Sequence, residues 1–208
     1  MRTVLPVTRI FRRRAPALAL ALAGAALALT SAPCPRQGCA LTEGRRAFLS
    51  LKNREAQPAE PDFDRGVSLD ALLGAGDDAA RWSESRAAAV EGYVVGVQGG
   101  SVESSNCFSP TRRDVHINLA RRADAPATET VVVEVTPRAA DAARSRGLDW
   151  SLRTLKRDLT GRRCRFEGWL LFDREHADES LNTAPGNPVD WRATAWELHP
   201  VTKIEVVR

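Results

Sequence analysis

The sequence predicts a mainly β domain with helices, of the α+β class: a small five-stranded barrel with a helical insert between its third and fourth strands. Three observations carry this. From residue 90 onward, apolar residues recur with period two in five separate segments. Glycine, proline and polar clusters separate those segments. The one long stretch with helical spacing, residues 138 to 159, falls between the third and the fourth.

The chain begins differently. Arg2, Arg9, Arg12, Arg13 and Arg14 occur with no acidic residue, and Ala17 to Leu29 then contains only Ala, Leu and one Gly. Thr30, Ser31 and Ala32 follow. A basic start, an apolar run and small residues at its end make a secretory signal. Ala15 to Ala32 is eighteen uncharged residues, near the roughly 20 of a membrane span, so an uncleaved anchor is the alternative. Ala28 and Ala32 both end small-x-small triplets, and Pro33 before Cys34 argues against a lipoprotein. Residues 1–32 are therefore expected as a signal peptide or membrane anchor. The protein is then exported to the periplasm or cell exterior, or held at the inner membrane, with membrane contact only through residues 1–32.

Residues 33–66 contain Pro33, Pro35, Pro58 and Pro61 among mixed charges and few large apolar residues. They read as a flexible linker, in which Glu43 to Lys52 has helical potential. The β domain is expected over 67–208. Ser68 can cap a short helix from Leu69 to Leu73, stopped by Gly74. Asp77 to Arg86 adds a turn packed by Trp82.

Val90 to Val97 is the first strand, ended by Gly99-Gly100. In the second, Val115, Ile117 and Leu119 alternate with His116, Asn118 and Ala120, the pattern of a half-buried strand. Thr130 to Thr136 is the third and is apolar enough to be buried on both faces. Arg138 to Arg146 and Trp150 to Leu159 are helical, separated by Gly147. Arg162 to Phe172 is the fourth strand. Trp191 to His199, continuing through Val201 to Val207, is the fifth, and Pro200 marks an edge, bulge or bend there.

Strand, strand, strand, helix, strand, strand in a small barrel is the OB arrangement. A β-sandwich competes less well, because five strands are few for it. Residues 90 to 206 also resemble a family of uncharacterised exported bacterial proteins, each built on one small OB-like β domain. The segments that carry the likeness begin at Val90, Asp114, Val132, Gly168 and Trp196. They read VEGYVV, DVHINL, VVEVTP, GWLLFD and WELHPVT. The resemblance implies a shared fold and brings no activity or functional residue with it.

Composition narrows the function. The net charge is +4, but five arginines and no acid lie in residues 1–32, which leaves −1 for the rest. The basic pI of about 9.2 belongs to the leader, and it does not argue for nucleic acid. Four cysteines suit an oxidising compartment. Cys34 and Cys39 can close a small loop, Cys107 suits a disulfide or an inert thiol, and Cys164 reads as a buried free thiol on a strand.

Chemistry-bearing residues are few. All three histidines lie in the β domain. His116 and Glu134 face away from the apolar side of their strands, and His199 ends the fifth strand in step with Glu197. Two imidazoles and a carboxylate suit a divalent metal, so His116, Glu134 and His199 form a candidate metal site for a hydrolase or nuclease. They lack the tight spacing of a helical metal motif. No Gly-x-Ser-x-Gly elbow, phosphate loop or dinucleotide fingerprint occurs, so no cofactor is expected, a divalent metal being the alternative; strand histidines more often make one hydrogen bond at a sheet edge or loop. His176, in Asp173-Arg174-Glu175-His176, reads as a solvated turn.

Arginines bracket the second strand. Arg112, His116, Asn118 and Arg121 form a candidate ligand face on the strands and loops where OB barrels bind. An oligosaccharide, a polyanion or an envelope protein would suit it. The leading expectation is thus an exported, non-enzymatic binding module. The metal-dependent hydrolase and an envelope interaction module are the alternatives.

Overall fold

The computed structural model describes residues 33–207; the expected signal or anchor segment lies outside them. Among the described residues no helix is long and apolar enough to cross a membrane.

Five strands form the domain: β1 (Ala87–Gly99), β2 (Val115–Ala120), β3 (Val131–Val135), β4 (Arg163–Phe172) and β5 (Trp196–Val206). They close into a barrel in the order β1-β2-β3-β5-β4. β3 and β5 pair in parallel and the other neighbours antiparallel. Closure leaves no free sheet edge. Alternation fills the interior with Val115, Ile117, Leu119, Val131, Val133, Phe166, Leu170 and Leu198, among others. The residues between them, including His116, Asn118, Glu134 and Glu197, point to the outside of the barrel wall.

Four α-helices accompany the strands among the described residues: α1 (Glu43–Lys52), α2 (Leu69–Leu72), α3 (Pro137–Ser145) and α4 (Leu152–Leu159). α2 is capped by Ser68 and sends Leu69 and Leu72 into the core. Trp82 packs edge-on against Trp196. α3 and α4 connect β3 to β4, capped by Thr136 and Ser151.

β5 begins at Trp196, five residues later than the sequence pattern suggests. Residues 191 to 195 are drawn off the sheet because Asp78, fully buried, accepts from Thr194 Oγ1 at 2.6 Å and from the Ala195 amide at 3.0 Å. Pro200 lies within β5, where the β4–β5 register shifts around Gly168. A Cβ on Gly168 would stand 2.6 Å from the Pro200 carbonyl oxygen. Only glycine lets the two backbones approach there.

The largest difference from expectation lies in residues 33–66, which are not a loose tether. Thr42 caps α1. Phe48, Leu49 and Lys52 fall on one face of it and are buried. Phe48 and Leu49 pack with Ala40 on Leu171, on the outside of the barrel wall. Arg54 is buried beside them and donates to the Glu84 and Leu170 carbonyls. Low overall hydrophobicity concealed this, because two apolar residues on one face suffice once an exposed wall residue awaits them.

A disulfide joins Cys34 to Cys107, fastening this segment to the loop between β1 and β2. Cys34 does not pair with Cys39, which is a free exposed thiol, while Cys164 is a free buried one. The bond spans 73 residues, and chain entropy for such a loop gives about 4 kcal/mol. Cys34→Ser is expected to lower unfolding stability by an amount of that order and to open residues 33–56 to protease before the barrel. Unchanged stability and protease resistance would contradict the clamp.

Candidate functional site

OB barrels bind ligands on the outer face of strands two and three and on the flanking loops. Here that face is covered at the β3–β5 end by the 33–56 segment and the loop before β2. Beneath the cover lies a layer of charged side chains.

Glu134 on β3 is its centre. Its Oε1 is 3.2 Å from His116 Nε2 on β2, and its Oε2 is 3.2 Å from His199 Nδ1 on β5. Cross-strand register explains the first contact, since His116 sits opposite Glu134 in the β2–β3 ladder. Close approach of the chain helps: a Cβ on Gly100 would lie 2.7 Å from His116 Nε2. Asp114 enters from the start of β2, and it, Glu134 and His199 each offer a ligand atom, all within 4.8 Å of one another. Asp114, Glu134 and His199 are 2, 4 and 0 % exposed.

The surroundings sort into neutralised pairs and a remainder. Lys52 of α1 pairs with Glu103 at 3.1 Å. Arg192 is shared between Glu197 and Asp173. Asp173 also meets His176 Nδ1 at 2.8 Å. Asp114 and Glu134 are left with no lysine or arginine partner among the described residues. Asp114 Oδ1 accepts from Asn106 at 3.1 Å. Asp114 Oδ2, Glu134 Oε2, His116 Nε2 and His199 Nε2 are buried without a hydrogen-bond partner. Buried polar atoms are rarely left so: Glu134 Oε2 and His116 Nε2 have only the 3.2 Å ion-pair contacts above, and Asp114 Oδ2 and His199 Nε2 lack even those.

Burial sets the proton affinities. It pushes Glu134 well above the usual carboxylate range, and repulsion from Glu197 adds to the rise. Asp114 is raised by burial as well. Burial also acts first on Glu197, and Asp173 adds repulsion, lifting it to about 7. His199 is pushed down to about 4, by burial and then by Lys52, and His116 is lowered by burial. Burial works against the charge on Lys52 too, but the surrounding carboxylates outweigh it and hold the ammonium charged.

His199 is oriented for coordination. Its Nδ1 lies 3.3 Å from Glu197 Oε2, and Glu197 is held in turn by Arg192. Nδ1 thus stands between Glu197 and Glu134, and Nε2 is the ring nitrogen left without a partner; metal-bound histidines commonly have their other ring nitrogen held by a carboxylate.

The residues chosen for a ligand face do not form one. Arg112 and Arg121 lie beyond opposite ends of β2, ion-paired to Asp141 and Asp70 respectively. His116 and Asn118 are both half-buried on the outer wall, with His116 turned against Glu134. The metal candidates His116, Glu134 and His199 do lie together, with Asp114 added. Asp114 carried a signal, since it is in step with His116 and Asn118 in the strand alternation. Lys52, Glu103, Asp173 and Arg192 carried none, because their burial depends on segments distant in sequence.

No protein-family model matches the chain, and no curated protein matches it. Among solved structures the chain is similar to one in the crystal structure of yeast Stn1 and Ten1, at 13% identity and a TM-score of 0.30. The likeness covers 59% of this chain and 43% of that chain. The chain thus spans less than half of that relative's length, and a likeness this distant carries no argument; the barrel rests on its own strand pairing.

His176 reports on the edge of the charged layer. Its hydrogen bond to Asp173 outweighs burial and raises it to about 9. Because a histidine in the unfolded chain titrates near 6.5, the contribution of this pair is complete below about pH 6.5 and fades as pH rises toward 9. Asp173 is buried, but its partners hold it below the usual carboxylate range. Acidification below about pH 4 therefore removes the contribution from the other side. NMR titration is expected to place His176 near 9, and Asp173→Asn to return it toward 6.5. A midpoint near 6.5 in the wild type would show that the pair does not form.

Proposed function

We propose that this is an exported, non-enzymatic OB-like binding module held together by a divalent transition-metal ion. In this reading Asp114, Glu134 and His199 are the ligands and His116 is the fourth. The observation that carries it is the buried group of Asp114, Glu134 and His199, whose ligand atoms lie within 4.8 Å of one another and whose two carboxylates have no lysine or arginine in ion-pair contact, with His116 beside Glu134. A dication supplies the missing charge and gives the unsatisfied atoms of Asp114, Glu134 and His199 a common partner. Two imidazoles with two carboxylates suit zinc; calcium and magnesium prefer oxygen alone. Tetrahedral ligands at about 2.1 Å lie about 3.4 Å apart, so the three grouped residues need to close by about an ångström on binding.

Burial favours a bracing ion over a hydrolytic one. A catalytic zinc keeps a position open to water and substrate, whereas these ligands lie beneath α1 and the disulfide-clamped loop. The ion would join β2, β3 and β5 under the cover that Lys52 and Glu103 pin. Export draws support from the leader composition and from the Cys34–Cys107 bond, which suits an oxidising compartment.

Thermal unfolding with and without zinc tests the reading. Zinc at about 100 times its dissociation constant adds about 2.7 kcal/mol, so the wild type is expected to show a clear rise in Tm that chelator reverses. Glu134→Gln removes a buried unpaired acid. It is expected to leave the zinc-free protein as stable or more so, yet to abolish the rise. His199→Gln is expected to abolish it too. No zinc effect on the wild type, or a full effect in both variants, would defeat the proposal.

A further inference from the structure

A second concave feature lies on the other side of the loop that carries Asp114. A cavity of about 250 Å³ opens between residues 111–115 and the starts of α3 and α4. Arg112, Arg113 and Arg144 line it, and Trp150, Leu152 and Ala140 give it an apolar side.

Charge in this cavity is unbalanced. Asp141 is the one carboxylate facing the three guanidinium groups; it accepts from Arg112 at 2.5 Å and from Arg144 at 2.9 Å. Arg113 has no side-chain hydrogen bond or ion pair among the described residues. Asp114 also lines the wall, but it is buried, with its ligand oxygen grouped with Glu134 and His199. Thr136 and Ser151, the cap residues of α3 and α4, stand at the rim. Both helices therefore begin at the cavity and add the positive ends of their dipoles. The guanidinium groups outnumber the exposed carboxylate in this concave surface, which favours an anion there, and arginine matches the planar geometry of an oxyanion.

We propose that this cavity binds a compact ligand through a carboxylate or phosphate group, held by Arg113 together with Arg112 and Arg144, with the rest of the ligand against Leu152 and Ala140. The volume is below the roughly 300–1,000 Å³ of sites for drug-sized molecules, so the ligand is small. The inference stands apart from the metal reading, because none of the three arginines contacts the ion ligands.

Isothermal titration of the full protein with glucuronate, inorganic phosphate and glucose tests it. Saturable binding of glucuronate or phosphate, with none of glucose, is expected. Glucuronate alone would assign a carboxylated saccharide, and phosphate alone a phosphate ligand. Arg113→Ala and Arg144→Ala should each weaken binding by about tenfold or more, the loss of a charged hydrogen bond. Arg122→Ala, on the turn between β2 and β3, should leave it unchanged. Absence of binding by both anions, equal binding of glucose, or indifference to Arg113→Ala would overturn the proposal.

Discussion

Two carboxylates, Asp114 and Glu134, are buried in this protein without a basic side chain to neutralise them, and the surrounding architecture depends on how that charge is met. Isolating an ionised carboxylate from water is costly. Such a group either keeps its proton or acquires a cation. The fold surrounds the pair with charges in contact with partners of their own: Lys52 with Glu103, Arg192 with Glu197 and Asp173, and His176 with Asp173. Among the described residues Lys52 acts on Asp114 and Glu134 only from a distance while paired to Glu103, and the groups in contact with Glu134 are two imidazoles whose charge burial disfavours. Neutral imidazole and carboxylate are what a transition metal takes as ligands.

The covering segment follows from the same constraint. An OB barrel normally leaves the outer face of strands two and three for its ligand. In this chain α1, the 33–56 segment and the loop before β2 close part of that face, and the Cys34–Cys107 bond holds cover and loop together. Low dielectric under the cover strengthens each polar contact and penalises each missing one. The cost of leaving Asp114 and Glu134 unmatched is therefore higher than on an open barrel. On the 111–115 loop Arg112 and Arg113 are exposed while Asp114 is buried, and the cavity they line is the concave surface left open there.

The barrel was legible in the sequence because its signals are local. Val115-His116-Ile117-Asn118-Leu119 shows its alternation within five residues, and Gly147 and Gly161 delimit the helices after β3. Half of the site was legible for the same reason: His116 and Glu134 stand opposite the apolar side of their strands, and ladder register does the rest. The cover was not legible. Phe48 and Leu49 gain their burial from Leu171, more than a hundred residues away, and a proline-rich, polar context gives no hint of that partner. Lys52 is a surface residue by composition and becomes buried only because Glu103 waits beneath it. The late start of β5 has a comparable cause, since Asp78 claims the Thr194 and Ala195 groups by contacts across the fold. The arginines bracketing β2 misled for the converse reason: adjacency to one strand did not mean one surface, because a six-residue strand separates Arg112 from Arg121 by roughly 20 Å.

The central claim concerns which atoms surround a bound ion, and X-ray absorption at the zinc edge on zinc-loaded protein tests it most directly. The account predicts a shell of nitrogen and oxygen only, at about 2.0–2.2 Å, with the outer scattering of imidazole. Sulfur at about 2.3 Å, which would place the ion on Cys39, or an oxygen shell without imidazole, would contradict it.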